Sequence, residues 1–152
     1  MWAKNYDELS KLNSAERSRK DFKPCEENRC KYVAKNVSGD DVIKINLDKD
    51  IPPEYDGDKR VDYVFLNETK KIAYLVELKC SNIKKAFEQL ENTDQKLRGI
   101  LEGYKIRWRV VCNPRTAKLR NNDIQKKING IKKRRNFIIS KDMTLFEDLS
   151  QN

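Results

Sequence analysis

The stretch Lys71-Ile-Ala-Tyr-Leu-Val-Glu-Leu-Lys79 decides the fold, because apolar side chains cover both faces of this extended chain as far as Glu77. A half-buried strand alternates apolar and polar residues, whereas a strand buried on both faces has a continuous apolar run. We therefore expect a central strand here. Side chains alternate along a strand, so Glu77 and Lys79 lie on one face and Leu78 lies on the other.

The segments on either side of this strand contain further helix and strand patterns. The predicted elements, in chain order, are a helix over residues 25–38, strands over 41–47, 60–66 and 71–79, a helix over 83–102, a strand over 105–112, a basic helix over 121–135 and a strand over 136–139. This order predicts an α/β fold in which helices flank a mixed central β-sheet on both faces.

The chain has 152 residues and no histidine. That length favours a single domain over residues 1–152, with a helical N-terminal extension (1–24), a core at about 25–112 and a basic C-terminal part (101–152). Without an imidazole, Ser-His-Asp hydrolysis and histidine-based metal or acid–base sites are excluded. Catalysis would depend on carboxylates, lysine, tyrosine or thiols.

The location of the protein is predicted from its apolar segments and its cysteines. The N-terminus lacks a signal-peptide pattern and the best apolar run, residues 72–76, is too short to cross a membrane. We therefore expect a soluble, cytoplasmic protein with no membrane partner. Cys25, Cys30, Cys80 and Cys112 contain no C-x-x-C pair, so buried reduced thiols are favoured over a zinc site.

Positive charge is concentrated in the basic C-terminal part. Residues 101–152 contain 13 Lys and Arg against five Asp and Glu, within a net charge of +9 for the chain. This asymmetry favours a surface that faces a polyanion such as nucleic acid, although a merely solvated basic surface is the alternative. The residues expected to neutralise phosphates are Arg107, Arg109, Arg115, Lys118, Arg120, Lys126, Lys127, Lys132, Lys133, Arg134 and Arg135.

Charged residues at the end of the central strand are the best candidates for chemistry. Glu77 and Lys79 emerge from an apolar run, where charge is costly unless it serves a purpose. Asp62 lies in the preceding predicted strand, so a hairpin would bring it opposite Glu77 or near it. In the structural alternative, Asp62 caps a strand while Glu77 and Lys79 form a surface ion pair of little energetic value.

The order of Asp62, fourteen intervening residues, Glu77-Leu78-Lys79 and a helix from Ile83 resembles the PD-(D/E)xK superfamily of restriction-endonuclease-like nucleases. The resemblance implies a helix, three strands, a helix and a strand as the core over about residues 25–112, followed by the basic helix and last strand. It implies a metal-dependent endonuclease that hydrolyses DNA phosphodiester bonds, with DNA favoured over RNA.

The resemblance also assigns roles to the central residues. It implies that Asp62 and Glu77 bind Mg²⁺ or Mn²⁺ together with the backbone carbonyl of Leu78, because these hard cations take oxygen ligands. Lys79 would position the attacking water or help to deprotonate it, and would contact the phosphate.

Two further positions follow from the same resemblance. Many members have an acid on the first core helix, for which we choose Glu27, with Glu26 as the alternative. Gln89 on the helix after the motif matches a polar position that some subfamilies use. Both residues are therefore added to the predicted catalytic set.

Other functions compatible with the sequence predict different behaviour. A non-catalytic nucleic-acid-binding module that retains the nuclease fold would bind DNA without cutting it. A protein-interaction domain would use its basic face for an acidic partner and would bind DNA weakly at any length. If the chain cuts both strands of a duplex, two active sites are required, so we expect a two-fold homodimer.

Overall fold

The structure, a computed structural model, describes residues 2–52, 59–78, 82–113, 121–140 and 142–152. Within these ranges the helices and strands, in chain order, are α1 (Tyr6–Ser10), β1 (Glu16–Ser18), β2 (Cys25–Glu27), β3 (Cys30–Lys35), β4 (Val42–Asn46), α2 (Leu47–Asp50), β5 (Tyr63–Asn67), β6 (Ile72–Leu78), α3 (Ile83–Arg98), β7 (Lys105–Val111), α4 (Asn122–Arg135), β8 (Ile138–Ser140) and β9 (Thr144–Asp148).

The main sheet has six strands in the order β1-β4-β5-β6-β7-β8. Strands β1, β4, β5 and β6 pair antiparallel, while β7 runs parallel to β6 and β8 runs parallel to β7. Every residue of β6 is buried, as its continuous apolar pattern predicted. The chain therefore has the mixed α/β architecture that the sequence indicated, with β6 inside the sheet.

The two faces of the main sheet are covered differently. The buried residues of the helices share one core with alternate sheet residues, such as Leu75 and Trp108. On the other face, Tyr74 and Phe65 pack with Tyr32 of a second sheet, which has the strand order β2-β3-β9. Helices thus flank the sheet as predicted, but the expectation of helices on both faces is wrong, because a small sheet covers the second face.

The predicted helix over residues 25–38 is wrong, because this segment forms the β2–β3 hairpin. Asn28 and Arg29 both have positive φ angles, which fit a two-residue hairpin turn and break a helix. After the turn, Cys30, Tyr32 and Ala34 are buried alternately, with the period of a strand. The apolar positions that suggested helical spacing are also compatible with this alternation.

The N-terminal segment contributes to the main sheet and to its core. Strand β1 pairs with β4 at the sheet edge, and Leu9 of α1 is completely buried. The predicted helical extension over residues 1–24 therefore contains one short helix and a strand. Strand β9 was not predicted either, and it pairs parallel to β3.

Two smaller expectations concern the thiols and the membrane. Cys25, Cys30 and Cys112 are buried, as predicted, while Cys80 lies outside the described residues. Among the described helices, none combines the length and the apolar character that a membrane crossing requires.

Asp94 connects three elements on the helical face of the main sheet. Its buried carboxylate on α3 accepts hydrogen bonds from Trp108 Nε1 on β7 at 2.7 Å and from Arg135 Nε on α4 at 2.6 Å. Arg98 Nε donates to it from one turn further along α3, at 3.1 Å. Burial opposes ionisation of Asp94, but the bonds from Arg135 and Trp108 hold its pKa below its usual range.

Replacing Asp94 with alanine should lower the free energy of unfolding by about 2–4 kcal/mol, because Trp108 and Arg135 lose a buried partner. Urea unfolding followed by circular dichroism measures the change. Glu91→Ala is the matched control, since Glu91 pairs with Arg134 at the surface and should contribute less than about 1 kcal/mol. Equal losses in the two variants would contradict the role of Asp94.

Candidate active site

Strand register places Asp62 directly across from Glu77. The antiparallel ladder between β5 and β6 pairs Tyr63 with Val76, and Asp62 and Glu77 are the next residues of the two chains. Both side chains are buried, with relative exposures of 7% for Asp62 and 1% for Glu77. Glu77 is therefore buried and not at the surface, and the hairpin brings the two predicted carboxylates together.

Each of these carboxylates is held by a backbone amide of the neighbouring strand. The Asp62 N–H donates to Glu77 Oε1 at 3.2 Å, and the Leu78 N–H donates to Asp62 Oδ2 at 2.9 Å. These two hydrogen bonds continue the β5–β6 ladder by one residue pair. The acceptors in them are side-chain carboxylates instead of backbone carbonyls. Asp62 thus caps the strand pair as the structural alternative proposed, and the same bonds fix both carboxylates at the end of β6.

The β2–β3 turn lies against this end of the sheet. The Glu27 side chain, at the end of β2, hydrogen-bonds to the Asp62 carboxylate. Asn28 Nδ2 donates to the Leu78 carbonyl oxygen at 3.4 Å. Glu27 therefore reaches the carboxylate pair from a strand and not from the predicted helix. The alternative residue, Glu26, is exposed on the opposite face of β2 and lies 3.9 Å from the Lys31 ammonium.

The proximity of these acids changes the titration of Asp62. Burial and the negative charge of Glu77 raise the pKa of Asp62 to about 7, while the hydrogen bonds from Glu27 and from the Leu78 amide act in the opposite direction. Neighbouring buried carboxyls cannot all ionise without a compensating charge. A cation or a shared proton would therefore be bound favourably at this position.

The donor chemistry fits a hard metal ion. Asp62, Glu77 and the Leu78 carbonyl offer only oxygen atoms, which Mg²⁺ and Mn²⁺ prefer. In the described ranges, no three cysteine, aspartate or glutamate side chains are arranged to hold a metal ion. Lys79 lies outside the described residues.

Gln89 supports the segment that leads into the site. Its Nε2 donates from α3 to the Arg60 carbonyl at 3.1 Å, two residues before Asp62. Its Oε1 is buried and accepts no hydrogen bond within the described part of the chain. Gln89 is therefore placed to position the backbone before Asp62, and the structure gives it no direct contact with the carboxylates.

Lys44 is a site residue that the sequence did not indicate. Its ammonium hydrogen-bonds to the Cys25 thiol and lies 5.6 Å from the centre of the Tyr63 ring. Burial raises the pKa of Cys25 to about 11, and Lys44 opposes this shift, whereas Asp62 and Glu27 reinforce it. Lys44 and the acids Asp62 and Glu27 therefore act on the same thiol, that of Cys25, with opposite effects on its pKa. In the sequence, the only indication of this residue was its position in the alternating strand predicted over residues 41–47.

Arg109 was predicted to neutralise phosphate, but its cation is buried and bonded inside the fold. Its side chain is 1% exposed, and its Nε donates to both carboxylate oxygens of Glu147 at 2.8 Å. Its remaining nitrogens donate to carbonyl and amide oxygens of Asn136 and to the Trp108 carbonyl. Strand β9 provides Glu147, so this arginine is a structural link between β7 and β9.

The other residues predicted to contact phosphate differ in whether their side chains already bond to other residues of the protein. Arg107 donates to the Tyr74 hydroxyl, Arg134 pairs with Glu91, and Arg135 pairs with Asp94. The exposed lysines of α4 are Lys126, Lys127, Lys132 and Lys133. The remaining three, Arg115, Lys118 and Arg120, lie outside the described residues.

Comparisons of the chain with protein-family models, with curated proteins and with solved structures find no match. The function of the site is therefore inferred from its own residues.

Replacing Asp62 with asparagine should change how stability depends on pH. A carboxyl whose pKa is raised from 3.8 to about 7 on folding lowers stability as pH rises between these values, and the full penalty remains above them. In the absence of divalent cations, the wild type should therefore lose stability from pH 5 to pH 8 relative to Asp62→Asn, whose amide oxygen still accepts the Leu78 N–H.

Urea unfolding at both pH values measures this difference. The control is Asp123→Asn, which removes an exposed carboxylate on α4. Parallel pH profiles for the wild type and Asp62→Asn would contradict the raised pKa.

Proposed function

We propose that the chain is a metal-dependent endonuclease that hydrolyses DNA phosphodiester bonds with Asp62, Glu77 and Lys79. The observation that carries this proposal is the reciprocal hydrogen bonding of Asp62 and Glu77. It holds two buried carboxylates side by side at the end of the central strand, immediately before Lys79 in the sequence. A pair held only for stability would be less costly in apolar form.

The topology supports the restriction-endonuclease-like core. Strands β4, β5 and β6 form an antiparallel meander, α3 follows, and β7 returns parallel to β6. This is the order of three strands, a helix and a strand that the resemblance to the PD-(D/E)xK superfamily implies. In the proposed core, α1 takes the place of the first helix, because residues 25–35 form a hairpin.

Each residue of the site has its own role in the proposed reaction. Asp62, Glu77 and the Leu78 carbonyl would hold Mg²⁺ or Mn²⁺, which supplies charge stabilisation and a more acidic bound water. Lys79 positions the attacking water and contacts the phosphate. Glu27 bonds to the Asp62 carboxylate and keeps it oriented.

Cutting both strands of a duplex requires a second active site, so the proposal includes a two-fold homodimer. The alternative function is a DNA-binding module that retains the nuclease fold. A binding module retains its affinity for DNA and cuts none, so a cleavage assay separates it from a nuclease.

Glu77→Gln and Lys79→Ala should each slow the cutting of plasmid DNA in Mg²⁺ by roughly 100-fold or more, because each removes a group that acts in the transition state. The measurement is the rate of nicking and linearisation on agarose gels. Glu88→Gln and Lys84→Ala make the same chemical changes at exposed positions of α3 and should cut at the wild-type rate. Equal rates in all five proteins would refute the proposed site.

Mn²⁺ should raise the melting temperature of the wild type by a few degrees at pH 8, because the ion binds only the folded carboxylate pair. The shift should be smaller at pH 5, where Asp62 holds a proton. Differential scanning fluorimetry measures it, with NaCl at equal ionic strength as the control. A shift of the same size in Glu77→Gln would show that the ion binds elsewhere.

A further inference from the structure

A basic cavity of about 570 Å³ opens between the start of β7, the end of α3 and the end of α4. Six of its lining residues are cationic, and none of the described lining residues is acidic. The cationic residues that define what we call the basic cavity are Arg98, Lys105, Arg107, Lys133, Arg134 and Arg135. It combines residues from three elements that are distant in sequence, so a count of charges along the chain does not reveal it.

Carboxylates of α3 neutralise only part of this charge. Asp94 pairs with Arg98 and Arg135, and Glu91 pairs with Arg134. Lys105 and Lys133 are exposed and form no ion pair with any residue that the structure describes. Three of the four arginines are thus held in position by buried or half-exposed acids. The two lysines remain available to a ligand. The cavity therefore has a positive surplus suited to an anion.

The basic cavity and the carboxylate pair lie at opposite ends of the sheet. Strands β6 and β7 run parallel, with Lys105 beside Ile72 and Val110 beside Glu77. Lys105 and Val110 are five residue steps apart along an extended chain, which is roughly 16 Å. A ligand in the cavity is therefore too far away to take part in the chemistry at Asp62 and Glu77.

We propose that the basic cavity is a second phosphate-binding site, which holds the backbone of the nucleic-acid substrate away from the bond that is cut. This inference rests on the proposed nuclease function for its choice of ligand. A strand advances by about 3.4 Å per nucleotide, so a separation of roughly 16 Å corresponds to at least about five nucleotides. Phosphates are bound here without base contacts, which makes the site independent of sequence.

The test is the affinity for a fluorescein-labelled 20-base-pair duplex, measured by fluorescence anisotropy in EDTA so that no cutting occurs. Lys133→Glu and Lys105→Glu should each weaken binding by about tenfold and reduce its salt dependence. Lys35→Glu is the matched control, because Lys35 is exposed on β3 of the second sheet and does not line the cavity. It should weaken binding by less than about threefold. Equal effects of Lys35→Glu and Lys133→Glu would overturn the proposal.

A small free anion is the other source of a phosphate group, and inorganic pyrophosphate is the probe for it. Tight binding of pyrophosphate that Lys133→Glu abolishes, with duplex affinity unchanged, would also overturn the proposal. The nuclease proposal is tested separately, because binding is measured without turnover. If the protein binds DNA through Lys105 and Lys133 but does not cut it, the proposal for the basic cavity stands and the nuclease proposal fails.

Discussion

The structure depends on a buried central strand that ends in a carboxylate. Strand β6 is buried throughout, and Glu77 within it is 1% exposed. A carboxylate in such a position needs donors that the surrounding backbone holds in place. The Asp62 amide is one such donor, and Asp62 itself is held by the Leu78 amide. A slip of one residue between β5 and β6 would break both bonds and reverse the faces of the apolar side chains, so chemistry and packing require the same register.

Buried ionic groups also join the outer layers to this sheet. Asp94 links α3, α4 and Trp108 on the helical face, and Arg109 links β7 to Glu147 of β9 on the other. Breaking such a pair leaves a charge in the interior, which makes each link specific for its partner. The cationic side chains of the basic C-terminal part therefore have two different roles. Some hold the layers together, while the exposed lysines of α4 remain accessible to ligands.

The sequence was most informative where short-range patterns decide the structure. The apolar run of β6 specified that strand, and the positions of Asp62 and Glu77 in consecutive predicted strands predicted their proximity in a hairpin. Long-range contacts were not predictable in this way. The β2–β3 turn at Asn28 reaches Leu78 only because a second sheet covers the first. The burial of Arg109 depends on Glu147, which follows it by 38 positions in a strand with little apolar pattern.

The pairing of β3 with β9 affects the order in which the chain can assemble. Lys31 lies beside Thr144, so 113 positions of sequence separate the two strands. Residues 42–111 contain β4 to β7 and α3, and a growing polypeptide completes them well before β9 exists. Contacts between such distant segments form late and slowly. Glu27 belongs to the hairpin that pairs with this strand. We therefore expect Asp62 and Glu77 to come together first and Glu27 to join them afterwards.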